Sequence, residues 1–156
     1  MAVKPIPEGY HSVTPYLIVN DGARAIDFYK RAFGAVELFR MEGPGGTIRH
    51  AEIRIGDSPV MLSDEAPEMG ARSPQALGGS PVHLMIYVED VDTMFPQAIA
   101  AGATETQPLK DQFYGDRSGS LKDPFGHSWS IATHVEDVPP EEMAERAKQA
   151  MAGMDS

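Results

Sequence analysis

The sequence has no cysteine. That removes disulfide staples, thiolate metal sites and cysteine nucleophiles. The absence fits a reducing compartment without requiring one. Positive charge is also scarce: 13 Lys and Arg stand against 23 Asp and Glu, a net charge of -10. Neutralising phosphates needs a basic surface, so nucleic acid is not an expected partner, and neither is an anionic membrane. No uninterrupted apolar run approaches the ~20 residues of a membrane span. The opening Met-Ala-Val-Lys-Pro-Ile-Pro-Glu holds no apolar signal core. A cytoplasmic protein is therefore expected. What is present is ordinary. A length of 156 residues, 42% of them hydrophobic, suits one domain or two small fused modules with a core that needs no staples.

The strongest pattern is an internal repeat. TPYLIVND (Thr14 to Asp21) precedes GARAIDFYKRAFGA (Gly22 to Ala35), and HLMIYVED (His83 to Asp90) precedes VDTMFPQAIAAGA (Val91 to Ala103). Each reads as a strand, an acidic turn, an amphipathic helix and a glycine stop. Leu17 and Val19 alternate with Tyr16 and Ile18, consistent with a strand buried on both faces. Asp21 and Asp90 stand where an N-cap accepts orphan backbone N–H groups. Ile26, Tyr29 and Phe33 share one helix side, and Gly34 and Gly102 suit left-handed C-caps. Pro96 falls one turn inside the second helix, where proline is tolerable only near the start.

Further strands follow each helix. The first half gives Val36 to Met41, a Gly43–Gly46 turn, Thr47 to Gly56, and Pro59 to Asp64. The second gives short strands at Thr104 to Gln107 and Ser118 to Lys122, a turn at Asp123 to Gly126, and a strand at His127 to His134. The plan is βαβββ, twice, over residues 12–64 and 82–135, with a Pro-, Gly- and Ser-rich loop at 65–81 joining the halves. A tail at 139–156 begins a helix, with prolines and then acids at the positive end of its dipole. Met143, Ala147, Ala150 and Met151 form one stripe, which reads as a helix docked on the sheet or on a partner subunit, or as a solvated tail.

TPYLIVNDGARAIDFYKRAFGA, RHAEIRIGDSPVMLSDE and YGDRSGSLKDPFGHSWSIATHVEDV, in that order, resemble the vicinal oxygen chelate superfamily of glyoxalases, bleomycin-resistance proteins and extradiol dioxygenases, and within it the PhnB-like branch. The likeness covers residues 12–138, which would form a single glyoxalase/bleomycin-resistance-like domain within 1–138. It implies an α+β fold in which two βαβββ modules form a cupped, open mixed β-barrel, followed by the short C-terminal helix. Superfamily enzymes place His, Glu or Gln metal ligands on inward strand positions. Carried onto this chain, these positions are Thr14, Met61, His83 and Ser130. The repeat supports the register: Thr14 with His83 and Met61 with Ser130 share a spacing of 69. Only His83 is a competent ligand. Hydroxyls are weak ligands, and a thioether suits soft copper rather than Zn, Ni, Fe or Mn. No metal or other cofactor is expected.

A displaced site is the alternative. In RHAEIRIG, Ala51, Ile53 and Ile55 should pack under the helix, leaving His50, Glu52 and Arg54 on the cup face. His50 and Glu52 would then join His83 around a divalent metal, with His83 and Glu52 as acid–base candidates. Against this stands a simpler arrangement: a Glu52–Arg54 ion pair, with His50 hydrogen-bonded locally and His83 as a pocket residue. His11, His127 and His134 read as structural or exposed, and Trp129 as core. No GxSxG elbow, Walker loop or dinucleotide fingerprint occurs.

Alternation puts Thr14, Tyr16, Met61, His83, Met85, Tyr87 and Ser130 inward. This mix of aromatic rings, thioethers and sparse polar tips suits a small-molecule pocket. Phe113 and Tyr114 would sit at its mouth and stack on a planar ligand, with Arg117 meeting a carboxylate or phosphate. Alternatively, Asp116 and Arg117 cap the local turn and Phe113 packs on the other module. The leading expectation is a homodimeric protein that binds an aromatic or cationic small molecule without metal. The alternatives are a metal-dependent lyase, isomerase or dioxygenase, a metal-free acid–base enzyme, and a regulatory or interaction module.

Overall fold

The computed structural model describes residues 2–154. The first module runs β1 (Tyr16–Val19), α1 (Gly22–Phe33), β2 (Val36–Glu42), β3 (Ile48–Ile55) and β4 (Ser58–Asp64). A short α2 (Pro74–Leu77) lies in the connection. The second runs β5 (His83–Tyr87), α3 (Val91–Ala101), β6 (Thr104–Asp111), β7 (Asp116–Lys122) and β8 (Ser128–His134), and α4 (Pro140–Met154) ends the chain. The strands form two four-stranded mixed sheets of equivalent order, β1-β4-β3-β2 and β5-β8-β7-β6. In each, the first strand pairs parallel to the last and the others pair antiparallel. The two sheets are not joined into a closed barrel; the architecture is the expected cupped, open one.

The expected helix ends form. Asp21 accepts from Arg24 N and Asp90 from Thr93 N, while Gly34 adopts a φ of 68° as a left-handed cap. The helix sides of the sheets make one core. Leu17, Val19, Ala51, Ile53 and Leu62 pack with Ile26, Tyr29 and Phe33, and this cluster continues into Phe95, Leu121, Trp129 and Ile131. Trp129 lies 4.9 Å from the Phe33 ring, so core packing joins the modules. Gly119 makes room for α3: a Cβ there would fall 2.7 Å from the Phe95 ring.

Two acids, buried Asp123 and half-buried Asp64, brace this core. Asp123 takes the Tyr29 hydroxyl at 2.6 Å, the Trp129 indole N–H at 2.8 Å, and the backbone N–H groups of Phe125 and His127. Four donors satisfy a carboxylate that burial would otherwise penalise. Burial, and then the Asp123 charge, push the Tyr29 phenol well above its ordinary range. Asp64 similarly holds the N–H groups of Gly22 and Ile48.

Three expectations change. β1 is buried on one face only, because Tyr16 is exposed and Ile18 half-buried beside buried Leu17 and Val19. β6 extends to Asp111, pairing through Lys110 with Ser118. The 65–81 connection carries α2 and a short 3-10 turn at Pro67–Met69 rather than plain loop. Pro96 sits about one turn inside α3, at its sixth position, as expected.

Candidate functional site

Pleating decides what the sheets show on the side away from the helices. On the first sheet, Tyr16, Met61, Glu52 and Phe39 stand in one cross-strand row. His50 pairs with Met41 in the neighbouring row, and Arg54 lies one strand period beyond Glu52. On the second sheet, Met85 and Ser130 are partners, as are Ser130 and Ser120. Tyr16 is 47% exposed, Phe39 49%, Met85 48% and Tyr87 61%, so both faces offer apolar surface to a ligand or partner. Thr14 lies just before β1, half-buried.

Each face holds a histidine in a hydrogen-bonded chain. On the first, the Tyr16 hydroxyl is 2.9 Å from His50 Nδ1, and His50 Nε2 is 2.9 Å from Glu52 Oε2. A carboxylate only accepts, so the neutral ring donates Nε2–H to Glu52 and accepts the Tyr16 proton at Nδ1. The expected Glu52–Arg54 pair is absent: Glu52 instead takes the imidazole that shares its strand face. On the second, His83 Nε2 is 2.7 Å from Ser130 Oγ, which is 2.8 Å from Ser120 Oγ.

The metal hypotheses meet this geometry directly. The positions Thr14, Met61, His83 and Ser130 supply a single imidazole, and its Nε2 is engaged by a serine. His50, Glu52 and His83 are not brought together: among the described residues no three His, Asp or Glu side chains converge as a metal site. A catalytic divalent site needs about three protein ligands, and the superfamily's four positions offer one imidazole, two hydroxyls and a thioether.

A third cluster closes one end of the second sheet. Buried Asp116 accepts from Tyr87 Oη at 2.8 Å and pairs with His134 Nδ1 at 2.8 Å, while His134 Nε2 reaches Asp137, also at 2.8 Å. Those hydrogen bonds, first to Asp116 and then to Asp137, raise the His134 pKa above its ordinary 6.5. The Asp116 hydrogen bond likewise raises the Tyr87 phenol. Neither Asp116 nor His134 was expected to take such a part, because their pairing depends on the β7–β8 register rather than on neighbours in sequence.

Arg117 pairs with Asp92 and Asp111, and Asp116 does not join it in a turn cap. Phe113 does not bury itself against the other module. It is exposed, edge-on to Tyr114 at 5.2 Å. His127 is structural, with its Nε2 bonded to the Ile18 carbonyl at 2.9 Å. The tail is a helix with no buried residue, tethered to the domain through Arg146. Arg146 reaches Glu136, Glu142 and the Phe113 carbonyl, and Met143, Ala147 and Ala150 are half-buried while Met151 is exposed.

Residues 9–131 match the family model of the glyoxalase/bleomycin resistance protein/dioxygenase superfamily. The chain belongs to that superfamily. Among its relatives is the Mycobacterium tuberculosis uncharacterized protein Rv0887c, 48% identical over 135 residues, with 85% of this chain and 79% of that one covered. Among solved structures, TioX from Micromonospora sp. ML1 shares 32% identity at a TM-score of 0.64, covering 80% of this chain and 99% of that one. The Bacillus cereus PhnB protein, described as a putative 3-demethylubiquinone-9 3-methyltransferase, shares the fold at a TM-score of 0.61 and 21% identity, covering 79% and 99%. The superfamily resemblance read from the sequence therefore holds, and the PhnB protein shares its fold.

Proposed function

We propose that this superfamily member binds an aromatic or cationic small molecule on the open faces of its sheets, without a resident metal. The observation that carries the reading is the lining itself. Tyr16, Phe39, Met61, Met85 and Tyr87 supply apolar and aromatic surface, and His50 and His83 are fixed polar points. Such sparse polar groups among apolar walls orient a ligand. A cation gains from the net charge of -10 and from exposed rings such as Tyr87. Half-exposed apolar rows on both sheets also favour a two-fold homodimer in which one copy covers the other's open faces. We place this dimer in the cytoplasm.

The test is calorimetric titration of a panel of aromatic antibiotics and aromatic quaternary amines into the untagged protein, with metal content measured by plasma mass spectrometry. Expected are saturable binding, weakened about tenfold by Tyr87→Ala as removal of one buried aromatic contact implies, and metal far below one per chain. No binder in the panel, or one metal per chain lost in His83→Ala, refutes the reading.

A further inference from the structure

We propose that the first sheet carries a metal-independent acid–base site, with Tyr16 as its catalytic residue and an aromatic 2-oxo acid as the class of substrate. The inference deepens the reading of the open faces as ligand-binding and rests on it. Its basis is the chain Glu52–His50–Tyr16, with two consecutive separations of 2.9 Å. A reactive hydroxyl, a base within hydrogen-bond reach and a third group orienting that base make the general arrangement for activating an oxygen. Glu52 fixes the tautomer, so the Nδ1 lone pair faces the phenol. Among the described residues the Tyr16 hydroxyl has His50 alone as hydrogen-bond partner, and its ring is 47% exposed.

The surroundings name the substrate. Phe39 and Met61 share the row of Tyr16 and Glu52 and offer an aromatic, polarisable bed. Arg54 shares the face about 7 Å along the strand from Glu52. It is exposed and has no partner among the described residues, so its guanidinium is free to take a carboxylate. A molecule with a carboxylate, an adjacent ketone and a benzylic carbon matches these groups.

The step is a proton shift. Tyr16 Oη takes a proton from C3 of the substrate as its own proton passes to His50 Nδ1. The C3–H electron pair forms the C2–C3 double bond, and the carbonyl pair moves onto oxygen. The imidazolium, held against the Glu52 carboxylate, returns its proton through Tyr16 to that oxygen. Ketone becomes enol, no electrons are lost or gained, and all three side chains are restored. His50 and Glu52 act through Tyr16 as positioning residues.

The test uses phenylpyruvate and full-length protein dialysed against a chelator. Deuterium entry at C3 is followed by NMR, and binding by calorimetry. Expected is exchange above the buffer rate. Tyr16→Phe and His50→Gln should each lose about 10²–10⁴-fold, the range of one general acid–base group, with the binding constant held within threefold. Glu52→Gln should lower the maximal rate and leave half-saturation unchanged, whereas Arg54→Ala should raise half-saturation chiefly. Binding without exchange overturns the chemistry and leaves the pocket reading standing. Exchange that survives Tyr16→Phe, or that appears only when a divalent metal is added back to the dialysed protein, overturns the assignment. Absence of both binding and exchange overturns the substrate class, and the panel of amines and antibiotics then decides the pocket reading separately.

Discussion

On the first sheet a histidine stands between a tyrosine and a glutamate; on the second a histidine bonds one serine, which bonds another. The two modules share strand order, caps and a helix-side core, yet their open faces hold different chemistry. The reason is physical. The helix side must fill one continuous core at close packing, and each module meets that demand with small or branched residues under a helix, such as Ala51 and Ile53 or Leu121 and Ile131. The open side carries no such volume constraint. A carboxylate beside His50 fixes one tautomer, whereas Ser130 can donate to His83 or accept from it. The first face holds a directed proton, and the second an adaptable polar point.

The largest effect is expected on the buried side that the two modules share. Asp123→Ala strands the donors of Tyr29, Trp129, Phe125 and His127. It should cost roughly 3–5 kcal/mol in denaturant unfolding. Both modules should loosen together, because Tyr29 belongs to one and Trp129 to the other. Next, Gly119→Ala forces a methyl against Phe95 and the Leu109 backbone. It should cost about 1–3 kcal/mol by overpacking and leave the first module's amide exchange unchanged.

A smaller effect sharpens the contrast between the open faces. Asp116 and Asp137 hold the His134 pKa above 6.5. A group whose pKa is raised by folding stabilises fully below its unfolded value, and that contribution disappears as pH rises through the folded pKa. Melting temperature should therefore fall with rising pH in a window beginning near 6.5. His134→Gln should remove that component, and an NMR titration of the ring should place its midpoint above 6.5 and lower in Asp137→Asn. The smallest effect is local. Arg146→Ala frees α4 from Glu136 and Phe113, so amides of α4 should exchange faster while those of β3 and β8 stay protected.

Much of this was legible because it is local. Asp21 caps α1 through Arg24, three residues on, and Ala51, Ile53 and Ile55 follow a period of two. The cup-face set of His50, Glu52 and Arg54 followed from the same alternation, but which two would pair did not. His50 bonds Glu52 because Tyr16, from a strand 34 residues away in sequence, fixes the other side of its ring. Asp123 gave no sign of its role as a hub, since Tyr29 is 94 residues distant. Arg117 looked free until α3 brought Asp92 beside it.

The sequence alone determined the duplicated βαβββ plan, the acidic caps, the glycine stops and the shortage of metal ligands at the superfamily's positions. These depend on residue type and spacing within one element. The tertiary structure alone decided which side chains share a proton: Tyr16 with His50 and Glu52, His83 with Ser130, and Asp116 with Tyr87 and His134. A hydrogen bond needs its atoms within about 3 Å, and only cross-strand register sets that distance between residues far apart in the chain.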